Sequence, residues 1–360
     1  MIRQVSDGAP PDAIPFGLGE PTWDLPQAAR EALARTPALC SYGPQVGRIE
    51  LRRAIAARYH ARPEDVVVTN GTQEALYVVC QAYLDPGDEV LVPDPGFVGY
   101  RGVARLAGAQ AVSYGLSQDG RFRLCAETLT AALDAHPRAK LCLIGHPANP
   151  TGGGADLETL KRVAAACRER GVLLVSDEVY RELWFDRKQP SLRDADEDGL
   201  VLDSVSKSFG APGLRVGWVI GADALLAPIR VIHGYAVTCA STPAQWAATA
   251  MLEAAEPLLA QTRSEIAMRF EIFQSAMREY LGHEVTPPDG SFYHFLKLPE
   301  RAHEDPLAFC LRLRDEAKVV LVPGLAFGEN GRGYARLSFA ARPEQIREGV
   351  RRLAAWWEPA

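Results

Sequence analysis

Through the middle of the chain, short apolar runs alternate with stretches whose apolar positions recur every three or four residues. The runs at 66–69, 89–92, 141–144, 172–175, 200–202 and 216–220 are of strand length and carry few polar interruptions, as strands covered on both faces do. Between them the spacing predicts helices over 72–83, 97–107 and 157–170. In the last of these Leu157, Leu160, Val163, Ala164 and Cys167 share one face, Asp156 is a suitable N-cap and Gly171 a natural stop. Ahead of the first run, Leu51, Ile55 and Tyr59 fall on one helical face after a turn-rich loop at 41–47. Strands alternating with helices in this way predict an α/β fold built on a doubly wound, mostly parallel sheet.

The two ends read differently. Residues 1–40 are rich in proline and glycine, with only a short helical pattern over 27–35, which suggests an extended arm. A long helical region over 244–280, broken near Glu256-Pro257, stops at Leu281-Gly282. After it come a strand-like run at 292–298, a helix over 306–317, strands at 319–322 and 334–339 and a last helix over 344–357. The expected organisation is therefore an N-terminal arm (1–40), a large domain (41–282) and a small C-terminal α/β domain (283–360).

Composition narrows the partners. The chain has 360 residues, 47% of them hydrophobic and 23% charged, enough for a large core and a smaller satellite. Its net charge of −6, with no basic block, argues against nucleic acid and anionic membrane as partners. Cysteines 40, 80, 125, 142, 167, 239 and 310 are scattered and form no Cys-x-x-Cys pair. They read as reduced thiols, not as disulfides or metal ligands, and with no signal-like apolar start they point to the cytoplasm.

Candidate chemistry gathers where the predicted strands end, which is where open α/β sheets collect ligands. The chain has only six lysines, and of these only Lys207 lies between small hydroxyl residues, in Ser204-Val-Ser-Lys-Ser208, with Arg215 shortly after. An amine in such a setting can condense with an aldehyde. The run at 66–69 leads into Asn70-Gly-Thr-Gln73, a small-residue turn opening a helix and suited to a phosphate. Other runs deliver Asp94-Pro-Gly-Phe97, Gly145-His-Pro-Ala-Asn-Pro-Thr-Gly152 and Asp177-Glu-Val-Tyr180. Singly, each has a plain structural reading: a helix start at Gly71-Thr72, a turn at Asn149–Gly152, an N-cap at Asp177, a solvated neighbour at Glu178, packing at Tyr42, a surface arginine at Arg336. Together they offer an amine, a carboxylate, a phenol, an amide and a phosphate nest, the set that pyridoxal 5'-phosphate requires.

These motifs resemble the class I/II aminotransferases among the fold-type I enzymes that use pyridoxal phosphate. The likeness runs in order through Gly19-Glu-Pro21, Tyr42-Gly-Pro44, Asn70-Gly-Thr-Gln-Glu-Ala-Leu76, Asn149-Pro-Thr-Gly152, Asp177-Glu-Val-Tyr180, Ser204-Val-Ser-Lys207, Arg215-Val-Gly217 and Tyr334-Ala-Arg-Leu-Ser-Phe-Ala340. It implies that Lys207 bonds the cofactor aldehyde and moves the proton at the substrate α-carbon. Asp177 would face the ring nitrogen, Asn149 and Tyr180 the ring oxygen, and Phe97 would stack on the ring. Gly71, Thr72, Gln73, Ser204 and Arg215 would hold the phosphate, helped by Tyr42 from a second subunit of a homodimer. Arg336 would take the substrate α-carboxylate, beside Asn149 and Gly19. His146 departs from the more usual Asn or Ser, and its role is left open; Val237 lies where some dicarboxylate-specific relatives carry arginine. The implied activity is transfer of an α-amino group between an amino acid and a 2-oxo acid. A β-lyase on the same apparatus and a ligand-sensing regulator without turnover are the alternatives. Leu18 and Trp23, on the arm, would bear on side-chain preference.

Overall fold

The computed structural model describes residues 1–35, 41–117 and 119–357. The last part of the expected arm, 36–40 with Cys40, lies outside the described residues. Seven strands form the main sheet: β1 (Val66–Thr69), β2 (Glu89–Asp94), β3 (Gln110–Gly115), β4 (Ala139–Gly145), β5 (Leu173–Asp177), β6 (Leu200–Ser204) and β7 (Gly217–Ile220). Their order is β1-β7-β6-β5-β4-β2-β3. All neighbours are parallel except β7, which runs antiparallel to both β1 and β6.

Alternation along each strand sends successive side chains to opposite faces. Leu141 and Leu143 of β4 join one apolar cluster with Val67, Val90 and Val219, while Cys142 and Ile144 join the other with Val66, Leu174 and Trp218. Both faces are thus covered, which is why the strands read as continuous apolar runs. A smaller antiparallel sheet, order β8-β10-β9, is formed by β8 (Tyr293–Lys297), β9 (Val322–Pro323) and β10 (Tyr334–Ser338). The arm reaches it through a parallel bridge between Ile14 and Val319.

Several elements differ from expectation. The long helical region divides at Ala254 into helices Thr242–Glu253 and Ala255–Leu281. Pro257 sits in the first turn of the second helix, where its missing N–H costs no intrahelical bond. Gly282, at φ +66°, ends that helix in the left-handed conformation. The helix Asp223–Val237 has no counterpart in the sequence reading, because Pro228 and a nearly all-round apolar composition blur its periodicity. The short helix Ile2–Ser6, the edge strand β3 and the helix Ala126–Ala135 were likewise not expected. Glu178 is fully buried, not solvated: it accepts from Leu192 N at 2.7 Å and faces Arg181 at 3.3 Å. Among the described residues no helix is long and apolar enough to cross a membrane.

Candidate active site

A cleft of about 340 Å³ opens at the carboxyl ends of the parallel strands, between the main sheet, the arm and β10. Gly17, Leu18 and Gly19 line it from the arm, Thr72 and Gln73 from the helix after β1, and Phe97 and Tyr100 from the segment after β2. Asn149, Asp177, Tyr180, Ser204, Lys207, Arg215 and Arg336 complete most of the wall.

The floor at β1 depends on glycine. Gly71 caps the helix Thr72–Tyr83 at φ +81°, and a Cβ there would lie 2.4 Å from Arg215 Nη2. A Cβ on Gly217 would lie 2.7 Å from Thr72 N. With both side chains absent, the helix N-terminus, Ser204 and Arg215 approach one another. Thr72 and Gln73 open the helix, so their N–H groups have no intrahelical acceptor, and Thr72 Oγ1 is buried without a hydrogen-bond partner among the described residues. Arg215, itself at φ +54°, donates to the carbonyls of Pro212 (2.9 Å) and Asn70 (3.2 Å). This cup of unspent donors fits a phosphate group.

Lys207 Nζ donates to Gly19 O at 2.5 Å, so the arm meets the amine directly. Asp177, at the end of β5, is buried and accepts from Tyr100 OH at 3.0 Å. Burial pushes its carboxyl up to about 6, against the lowering effects of Tyr100, the Val179 N–H and the Lys207 cation. A cation facing Asp177, such as a protonated ring nitrogen, would reverse that rise. Until it has one, Asp177 disfavours the folded state as pH climbs, because the unfolded carboxyl ionises first, near its ordinary value of 3.8. The Asp177→Asn apoprotein should therefore gain stability over wild type between about pH 4 and 6, by on the order of 3 kcal/mol at the upper end. Chemical unfolding across that range checks this; a gap that does not widen with pH contradicts it.

Arg336, on β10, is 4% exposed and donates to Asn149 Oδ1 at 2.9 Å and Gly17 O at 2.7 Å. Its guanidinium carbon sits 4.5 Å from the Tyr293 ring centre and 5.0 Å from that of Phe327. Nε is buried without a hydrogen-bond partner, and among the described residues no carboxylate pairs with this cation. A buried, uncompensated arginine with a free N–H at the wall of a cleft is built to receive an anion.

Some predicted residues stand apart from the cleft. Tyr42 is 87% exposed and lines none of it. His146 is fully buried with Nε2 2.9 Å from Pro190 O; burial lowers its pKa to about 4, so the ring is neutral and fastens the loop at 190. Trp23 packs on Gly210 beneath Arg269 and does not face the cleft, whereas Leu18 does. The X-Pro bonds Asp94-Pro95, His146-Pro147 and Asn149-Pro150 are cis.

Three lining residues escaped the sequence. Tyr100 lies three residues after Phe97 on the same helical face, a spacing that carried the signal. Tyr293, whose hydroxyl is 2.9 Å from Tyr180 OH, and Ile2 are placed only by tertiary packing. Tyr293 also explains Gly19, since a Cβ there would sit 2.0 Å from the Tyr293 hydroxyl.

Comparison with known proteins gives the same picture. Residues 11–353 match the family described as aminotransferase class I and II. The chain is 31% identical to a probable aspartate aminotransferase of Methanocaldococcus jannaschii, over 97% of this chain and 94% of the relative. It is 32% identical to a probable N-acetyl-LL-diaminopimelate aminotransferase of Bacillus subtilis, over 95% of this chain and 88% of that one. Among solved structures, aspartate aminotransferase from Thermus thermophilus with maleate superposes with a TM-score of 0.89 at 30% identity, covering 98% and 94% of the two chains. With its fold, the order of its strands and its full-length likeness in agreement, the chain belongs to the class I and II aminotransferases.

Proposed function

We propose that this aminotransferase holds pyridoxal 5'-phosphate in the cleft, with Lys207 as the aldehyde-binding amine, and exchanges the α-amino group of an amino acid with a 2-oxo acid in ping-pong fashion. The observation that carries the reading is Arg336, a buried cation without a carboxylate partner among the described residues, facing the lysine-bearing cleft. Bound there, the cofactor supplies an aldehyde that condenses with amines and a ring that draws electrons from the bonds at the α-carbon.

The chain supplies the rest. Gly71, Thr72, Gln73, Ser204 and Arg215 would seat the phosphate, and Asp177 would face the ring nitrogen and favour its protonated form. Tyr100, by donating to Asp177 Oδ2, positions that carboxylate. Tyr180 and Asn149 would offer a hydroxyl and an amide to the ring oxygen, and Phe97 would cover the ring face. Arg336 grips the α-carboxylate, with Asn149 and Gly19 beside it, so that the α-hydrogen is turned toward Lys207 Nζ, the base placed to take it. Tyr42 projects into solvent on a loop that a second copy would cover; in a homodimer it completes the neighbour's phosphate seat. In this reading residues 41–282 are the cofactor-binding unit, while 1–40 and 283–360 bring the arm and Arg336 to it.

Reduction of the cofactor-loaded protein with borohydride, followed by peptide mapping, should place the label on Lys207. A label on any of the other five lysines overturns the assignment. The Tyr100→Phe variant should keep the cofactor but lose about tenfold in the rate of α-proton removal, the worth of one buried hydrogen bond to a charged group. Stopped-flow spectra with an amino donor read that rate, and an unchanged value would remove Tyr100 from the assembly.

A further inference from the structure

A second group of buried polar atoms lies behind the helix Thr72–Tyr83. His233, on the helix Asp223–Val237, is fully buried. Its Nδ1 is 2.6 Å from Glu74 Oε1 and its Nε2 2.9 Å from the backbone oxygen of Gln45. Both neighbours are acceptors, so both ring nitrogens are placed to donate. The other oxygen of Glu74, Oε2, accepts from Asn70 N at 2.5 Å and from Asn70 Nδ2 at 2.8 Å. The Asn70 carbonyl in turn accepts from Arg215 Nη2 at 3.2 Å. One chain of hydrogen bonds therefore runs from the loop that carries Tyr42 to the guanidinium at the phosphate cup.

The electrostatics explain why a histidine stands at its centre. Glu74 is the third residue of its helix, where a carboxylate suits the helix taken alone. The same carboxylate lies within one turn of the place where a phosphate ester, close to a dianion at neutral pH, is to sit, and it repels that charge. A ring donating to Oε1 offsets the repulsion and leaves Oε2 to brace Asn70, at the turn where Gly71 adopts φ +81°.

We infer that His233 is a positioning residue for the phosphate cup, acting through Glu74 to offset its charge and to hold Asn70 and Arg215 in place. The inference rests on the proposal that a phosphate group binds at Thr72, Gln73, Ser204 and Arg215. Because Gln45 hangs on the same ring three residues beyond Tyr42, the cup and the Tyr42 loop are ordered together.

The test compares the affinity of the apoprotein for pyridoxal 5'-phosphate with that for pyridoxal, the same ring without the anion. Protection against thermal unfolding by inorganic phosphate is a second readout. His233→Phe should weaken the phosphate ester and inorganic phosphate about tenfold or more while pyridoxal changes by less than about twofold, as expected for losing one charge-assisted hydrogen bond. His233→Asn, whose amide nitrogen can stand in for Nδ1, should restore most of the loss. In a Glu74→Gln background the His233→Phe change should lose most of its effect. If His233→Phe does not fold, His233→Gln, which returns a donor near Nε2 but not Nδ1, must show the same phosphate-selective loss. Equal weakening of ester and pyridoxal, or an undiminished His233 effect without the Glu74 charge, overturns the relay alone. A wild-type protein that binds pyridoxal as tightly as its phosphate ester removes the cup itself, and both readings with it.

Discussion

Lys207→Ala should abolish transamination, lowering the rate of the half-reaction with any amino donor by about four orders of magnitude, the upper range for removing a general base. In the proposed reading the side chain is both the amine for the aldehyde and the base for the α-proton. Among the described residues its side chain bonds only the Gly19 carbonyl, so the variant should fold and still take up the cofactor through the phosphate cup. Small primary amines added to the variant should recover part of the proton transfer, since a freely diffusing base can occupy the space that the side chain leaves. Stopped-flow absorbance of the bound cofactor reads both effects; a half-reaction within tenfold of wild type would refute the assigned base.

Arg336→Ala should lower kcat/KM for every amino acid by about 30- to 4000-fold, corresponding to the roughly 2–5 kcal/mol lost when one partner of a buried charge pair is removed. Arg336→Lys should do little better. A lysine ammonium is a compact point charge and cannot keep Asn149 Oδ1 and Gly17 O while presenting two parallel N–H groups to a carboxylate. An alkylamine without a carboxylate serves as the control, reacting equally slowly with wild type and variant. Retention of wild-type kcat/KM by Arg336→Lys would mean that the carboxylate is held elsewhere.

The sheet was legible because its strands are covered on both faces and so appear as unbroken apolar runs, each followed by a polar turn. The edge strand β3 was not, since its burial alternates with exposure at Gln110 and Ser113 and the run is correspondingly mixed. The helix Asp223–Val237 hid behind Pro228 and an apolar composition without a clear stripe. The site residues named from the resemblance line one cleft, Tyr42 and Gly71 excepted: most stand at or just past the carboxyl ends of strands that point the same way, while Gly19 comes from the arm and Arg336 from within β10. Tyr293 and Ile2 carried no local signal, as their approach depends on β8 and the N-terminal helix packing from outside the main sheet. Glu178 misled for a related reason. Next to Asp177 in sequence it resembles a surface residue, yet just past the end of β5 it is buried, where Arg181 and the Leu192 N–H receive it.

The hydrogen bond from Arg336 to the carbonyl of Gly17 joins residues 319 positions apart. A nascent chain emerging from the ribosome can complete the seven-stranded sheet and its phosphate turn long before position 336 is synthesised, but it cannot close the substrate end of the cleft. If the cofactor and substrate carboxylate bind as proposed, translation would let competence to take up the cofactor precede competence to recognise an amino acid, and chains stalled after the long helix should emerge as the first without the second.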